Sequence, residues 1–173
     1  MRTAWILLAA AIPAFAQQNF DFKTLDKLGA NATNSTNITL EGDALKLATS
    51  FLGDEKSSLR NLTGVYVRSF EFARPGQYKE ADLAPLRSYI KTLQWTKIID
   101  VRETEETSEV YIQPLPNNRL GGLAIVSASP KEVTVVFIAG ALNLSDLGKL
   151  SNLGIPDLGL GRDGKKSGDS GKD

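Results

Sequence analysis

Ser88 and Lys91 form an S-x-x-K motif, the arrangement in which penicillin-recognising enzymes set a nucleophilic Ser beside a Lys base. A Lys base needs no His, and the sequence contains none. The companion S-D-N motif is absent, and Lys166-Ser167-Gly168 falls in the C-terminal tail rather than on a strand. We therefore interpret Ser88 and Lys91 as part of a solvated helix face, and keep a small Ser-Lys hydrolase as an alternative.

An acidic run consists of Glu103, Glu105, Glu106 and Glu109. Paired carboxylates can act as acid and base in glycosidases, or can hold calcium. The run falls in a predicted hairpin turn, where charges are normally solvated, and no D-x-D-x-D-G calcium loop accompanies it. We expect no metal site here, and keep a carboxylate hydrolase as an alternative.

The composition excludes most other kinds of catalytic site. The 173 residues include no His and no Cys, which excludes Ser-His-Asp and Cys-His sites as well as zinc and iron–sulfur sites built on those ligands. Gly159 to Gly164 matches the dinucleotide pattern G-x-G-x-x-G, but no helix-forming segment follows it. We predict that the protein is not an enzyme and has no catalytic residues and no cofactor.

A binding surface is predicted on one face of a hydrophobic strand. Neighbours along a strand point to opposite faces, so Tyr66, Arg68 and Phe70 share one face. An Arg among aromatic rings can stack on a ring or bind a carboxylate. The alternative is a structural Arg, paired with an acid or lying across a solvated sheet face. If the face binds a partner, Arg68→Ala should weaken capture without unfolding the protein.

The elements that position these residues follow from hydrophobic periodicity. Four strands joined by short turns come late in the chain, and the last two are apolar on both faces, as central strands are. We predict an α+β fold: one mixed, mainly antiparallel sheet of about six strands, with two or three helices packed on it. The order is βαβα, then a four-strand meander, then a short last helix. The predicted strands are 38–40, 62–72, 97–103, 109–114, 120–128 and 132–139, and the predicted helices follow Asp43, follow Asp82 and span 145–153.

The N-terminus has the pattern of a secretory signal. A positive start and a short apolar run from Thr3 to Ile12 precede Ala14 and Ala16, which form a small-x-small cleavage site. The run is shorter than the ~20 residues that a membrane-spanning helix needs. We predict a signal peptide over residues 1–16 and export to the periplasm or the medium. The mature chain is predicted to have no transmembrane segment and, for lack of a Cys, no lipid anchor.

The rest of the chain divides into three parts. We predict a polar leader over residues 17–36, a single domain over 37–156, and a disordered tail rich in Gly, Lys and Asp over 157–173. The leader carries Asn-x-Thr sequons, which are glycan acceptors in a eukaryotic secretory pathway. We interpret them as turn and linker residues, and keep a secreted, adhesin-like or glycosylated protein as an alternative.

Several blocks of sequence together resemble a known family, the uncharacterised exported bacterial family catalogued as domain of unknown function 4252. The blocks are 38–40, 64–72, Trp95 with Ile98, 122–126 and 132–140, in this order and spacing. The resemblance implies an exported cell-envelope protein with no assigned activity and no catalytic residues to carry over. Some relatives look like lipoproteins, and this chain departs from them by lacking the Cys.

The charge balance bears on the partner. Lys and Arg total 20, and Asp and Glu total 20, so no basic excess exists to attract nucleic acid. Together with the family resemblance, this predicts a non-enzymatic binding or interaction module of the cell envelope. We expect its partner to be an envelope protein.

Overall fold

Six strands form one antiparallel sheet in the computed structural model, which describes residues 20–50, 61–117 and 119–143. In chain order the elements are α1 (Asp26–Asn31), β1 (Asn34–Glu41), α2 (Gly42–Ser50), β2 (Leu62–Glu71), α3 (Ala84–Thr92), β3 (Thr96–Arg102), β4 (Thr107–Leu115), β5 (Arg119–Ser129) and β6 (Glu132–Asn143). Short 3₁₀ turns, Phe22–Leu25 and Glu80–Leu83, precede α1 and α3. The α+β class and the late four-strand meander are confirmed.

The strand order is β1-β2-β6-β5-β4-β3, so β1 and β3 are the two edges and β6 lies at the centre beside β2. Every neighbouring pair is antiparallel. The strands β5 and β6 are apolar on both faces because each face packs against its own hydrophobic cluster. The connection between β2 and β3 carries the chain from one half of the sheet to the opposite edge.

The larger hydrophobic cluster lies between the sheet and the helical segments on one face, here called the helical face. There Leu86 and Ile90 of α3 and Leu28 of α1 pack against Phe137 and other side chains of the central strands. On the opposite face, Leu45 of α2 packs in the second cluster with residues of β4, β5 and β6. Both faces of the central strands are therefore buried.

The structure corrects the prediction of a polar leader over residues 17–36. Its described part, from Phe20 onward, belongs to the folded domain. The Phe20 ring stacks on the Phe137 ring with a centroid distance of 4.3 Å, and Leu25 and Leu28 are buried. β1 begins at Asn34, so the domain does not start at residue 37. The polar composition resembled a linker because an edge strand can expose polar side chains on both faces.

Helix α3 begins slightly later than predicted. Asp82 lies in the preceding 3₁₀ turn, where its carboxylate accepts a hydrogen bond from the Lys79 backbone N–H at 2.9 Å. Pro85 then falls in the first turn of the helix, where its missing N–H removes no helical hydrogen bond. The signal peptide with Ala14 and Ala16, the helix over 145–153 and the tail over 157–173 lie outside the described residues.

Candidate functional site

The candidate site is the outer edge of β1, here called the β1 edge, together with the Arg68 side chain, which reaches from β2 to β1. All of Asn34–Glu41 is exposed except Leu40, which is half-buried. β1 pairs with β2 in an unbroken register from Asn34 opposite Glu71 to Glu41 opposite Gly64. The other side of β1 pairs with no strand among the described residues, because β1 is the last strand of the sheet.

The face predicted to bind a partner is the helical face of β2. Tyr66, Arg68 and Phe70 do share this face. The N-terminal segment from Phe20 to Asn31 covers Tyr66 and Phe70, however. Tyr66 is 6% exposed and Phe70 is 5% exposed. Phe20 packs against the Tyr66 ring, edge to face, at a centroid distance of 5.1 Å. Tyr66 and Phe70 are therefore core residues in this structure, and Arg68 alone reaches the surface.

Tyr66 connects β2 to the end of β1. Its hydroxyl donates a hydrogen bond to the carboxylate of Glu41. Burial of the phenol, and then the neighbouring carboxylate, raise the pKa of Tyr66 well above its ordinary value. The phenol therefore stays protonated, and its role is to hold β1 against β2.

Arg68 lies across the same pair of strands. Its Nη1 donates to the backbone oxygen of Ile38 at 2.7 Å and to that of Val67 at 2.9 Å, and its Nη2 donates to Thr39 Oγ1 at 3.1 Å. The guanidinium carbon stands 4.0 Å from the centre of the Phe22 ring, which is a cation–π contact. Partial burial lowers the pKa of Arg68 from its very high ordinary value, and the group remains a cation. In the described part of the chain no carboxylate forms a salt bridge with it.

The two sheet edges differ in how they are protected against strand addition. Proteins commonly protect an edge with charged side chains and bulges, because an unprotected edge pairs with other chains. The β3 edge has both: Lys97, Asp100 and Arg102, and an irregularity in its register between Lys97 and Ile99. The β1 edge has a single charge, Glu41 at its end, and no irregularity. Among the described residues, β1 is therefore the less protected of the two edges.

The acidic run separates into one buried and three exposed carboxylates. Glu103, Glu105 and Glu106 are exposed at and beside the turn between β3 and β4. Glu109 is 2% exposed and lies on the helical face of β4. The described residues contain no group of three carboxylates close enough to hold a metal ion.

Glu109 is surrounded by donors. Arg87 Nε of α3 lies 2.7 Å from one carboxylate oxygen, Tyr111 OH lies 2.9 Å from the same oxygen, and Lys97 Nζ lies 2.8 Å from the other. Burial opposes the charged form, but the hydrogen bonds from Lys97, Arg87 and Tyr111 prevail and hold the pKa of Glu109 below its ordinary value. Burial and the Glu109 carboxylate raise the pKa of Tyr111 to about 12.

Each of the two cations that hold Glu109 also pairs with a second carboxylate. Arg87 also pairs with Glu80 at 2.6 Å, and Lys97 also pairs with Asp100 at 2.9 Å. This network fastens α3 to the β3 side of the sheet. A carboxylate whose two oxygens are both engaged is a poor general base, so the network is structural. Sequence reasoning missed it, although the alternation that puts Glu109 and Tyr111 on one face was visible.

The S-x-x-K motif lies on the surface of α3. Ser88 and Lys91 are both exposed, and no hydrogen bond joins them among the described contacts. The nucleophile mechanism requires the base within hydrogen-bond reach of the hydroxyl. The geometry therefore gives the Ser-Lys hydrolase alternative no support.

No helix in the described residues is long and apolar enough to cross a membrane.

Comparison with known proteins gives one match. No curated protein and no solved structure matches the chain. A family model described as Domain of unknown function (DUF4252) matches residues 27–150, and its first residue lies inside α1, within the segment that the sequence had suggested was a leader. The match covers well over half of the chain and confirms the resemblance, so the protein belongs to the DUF4252 family.

Proposed function

We propose that the protein is an exported, non-enzymatic binding module of the cell envelope, and that it binds an envelope protein by taking an extended segment of it onto the β1 edge. The observation that carries the proposal is the contrast between the two edges. β3 has three charged residues and an irregular register, whereas β1 offers eight regularly paired residues with one charge. Strand addition gains its affinity from main-chain hydrogen bonds, which such an edge supplies.

Two further features support a binding role. The chain has no His and no Cys, and the one buried carboxylate in the described part of the chain, Glu109, is already held by three donors. This carboxylate is thus engaged in holding the fold together and is not free to act as a general base. Export is supported by the signal-like pattern that ends at Ala16.

The proposal is tested by site-specific photo-crosslinking of the full-length chain in its host cell. A photoreactive residue replaces Ile38 on β1 or, as a matched control, Ile98 on β3, because the two side chains are similarly exposed at 41% and 44%. We expect one dominant crosslinked envelope protein from position 38 and none from position 98. Equal products at both positions, or no product at position 38, would contradict the proposal. A chain truncated after Leu158 separates any contribution of the tail.

One specific observation favours a second candidate function. The sequons at Asn34 and Asn37 lie on β1 itself, and glycans attached there would cover the edge. The protein would then be a glycosylated, adhesin-like protein that does not use β1 for strand addition. A decrease in mass on enzymatic deglycosylation of the secreted protein distinguishes this function from the first.

A further inference from the structure

We infer that the segment bound at the β1 edge carries an acidic side chain between two apolar ones, and that Arg68 binds the acid. This inference rests on the proposed function and adds the chemistry of the partner to it. It follows from the donors of Arg68 that have no partner among the described residues, from the two faces of β1, and from the position of the single acidic residue on that strand.

The contacts of Arg68 with the described residues do not use all of its N–H groups. A guanidinium has five N–H groups. Nη1 donates to the backbone oxygens of Ile38 and Val67, and Nη2 donates once, to Thr39. The N–H of Nε and the second N–H of Nη2 have no partner among the described residues. Nε and Nη2 form one edge of the guanidinium, which a carboxylate binds with two parallel hydrogen bonds.

The guanidinium is also fixed in place. The Phe22 ring supports one side of it at 4.0 Å, and it is held by two hydrogen bonds to β1 and one to Val67 of β2. An Arg held in this way loses less side-chain entropy on binding a carboxylate than an Arg that is free in solvent. The cation is therefore preorganised for an acidic side chain that arrives beside Thr39.

The two faces of β1 determine the neighbours of that acid. Thr39 lies on the helical face with Arg68, whereas Ile38 and Leu40 lie on the opposite face, where Leu40 packs with the second hydrophobic cluster. In an added strand, the residues on each side of the acid point to the face of Ile38 and Leu40. Ile38 is 41% exposed and supplies apolar surface for them. The matching segment therefore reads apolar, acidic, apolar.

Glu41 disfavours a second acid beside the first on one side of it. Its carboxylate lies on the helical face at the end of β1, where it accepts the hydrogen bond of Tyr66. A second acidic residue two positions along the added strand would approach Glu41, and like charges opposite each other on a sheet are unfavourable. The edge thus selects the position of the charge as well as its sign.

The probes that test this are two fluorescent synthetic peptides of about the length of β1. Both alternate Thr and Val around a central position, which is Glu in one peptide and Gln in the other. Binding to the purified protein is measured by fluorescence anisotropy at low and high salt. We expect the Glu peptide to bind about fivefold more tightly at low salt, as is typical of a partly exposed bidentate pair, and the advantage to shrink at high salt.

Two variants of Arg68 test whether the preference for the Glu peptide depends on this side chain. Arg68→Gln should remove the difference between the peptides, and Arg68→Lys, which keeps the charge but loses the planar fork, should retain only part of it. Thermal unfolding followed by circular dichroism establishes that each variant is folded. Equal affinity of the wild-type protein for the two peptides, no binding of either peptide, or a preference for Glu that survives in folded Arg68→Gln would overturn the inference. If position 38 nevertheless crosslinks to an envelope protein, these outcomes would overturn the inference about the acidic segment but not the proposed function.

Discussion

At the scale of single residues, the structure assigns opposite roles to the two most conspicuous charged groups on β2 and β4. Glu109 is buried and held by Arg87, Lys97 and Tyr111. Arg68 is held by neutral acceptors and reaches the surface. A buried charge with several charged partners serves stability, whereas an accessible charge with spare donors is available to a ligand. Glu109 is therefore expected to control stability.

Glu109→Gln should reduce the free energy of unfolding by about 2 kcal/mol at neutral pH, because Arg87 and Lys97 lose their shared carboxylate while keeping partial access to water. The pKa of Glu109 is lower in the folded than in the unfolded chain, so its contribution is complete above the unfolded value of about 4.3. That contribution disappears as the pH falls through the lower, folded value. Urea unfolding measured between neutral and acidic pH should show a shallower acid loss in the variant than in the wild type.

The matched control is Glu105→Gln, because Glu105 is exposed near the β3–β4 turn. It should leave the unfolding curve unchanged at neutral pH. If Glu109→Gln behaves like Glu105→Gln, the charge network contributes nothing and our account of Glu109 is wrong.

At the scale of elements, the N-terminal segment is the part of the fold that sequence reasoning misjudged. Phe20 precedes the 3₁₀ turn and α1, and its ring contacts Tyr66, Trp95 and Phe137. The segment closes the helical face over β2. It also brings Phe22 under Arg68, so it is needed to position the candidate site.

Phe20→Ala should lower the free energy of unfolding by about 3 kcal/mol, the cost expected when a buried aromatic ring is replaced by a methyl group. The midpoint of urea unfolding measures the change. Lys23→Ala, on the exposed side of the same segment, is the control and should have little effect. Equal midpoints for the two variants would show that the segment is a leader after all.

The sequence predicted those elements whose hydrophobic pattern is strong. The strands from β2 to β6 and helix α3 lie within a few residues of their predicted bounds, because alternation and helical periodicity mark their buried faces. β1 was predicted only over residues 38–40, because a polar edge strand has no buried side to mark its ends. Secondary structure was therefore predictable where burial is one-sided or complete.

The candidate site was only partly predictable. Alternation placed Tyr66, Arg68 and Phe70 on one face, as the structure does, but gave no indication of what covers that face. The partners of Glu109 include Arg87, which is 22 residues distant in the sequence and comes close only because α3 docks on the sheet. Likewise, the contrast between protected and unprotected edges appears only when the strand order is known.

At the scale of the whole molecule, the two edges of the sheet differ. At the β3 end, alternating charges tie α3, β3 and β4 together, and the register is irregular. At the β1 end, a regular polar strand has an unpaired side within the described structure, and a preorganised cation lies over it. This asymmetry is the basis for assigning partner binding to β1.

Amide hydrogen exchange of the purified protein, with and without the Glu-centred peptide, tests that assignment most directly. Strand addition would give new hydrogen bonds to alternate backbone N–H groups along β1, so we predict slower exchange at every second residue of Asn34–Glu41 and unchanged exchange along Thr96–Arg102. Peptide-induced slowing confined to β3 or to the acidic β3–β4 turn, with β1 unaffected, would contradict the account.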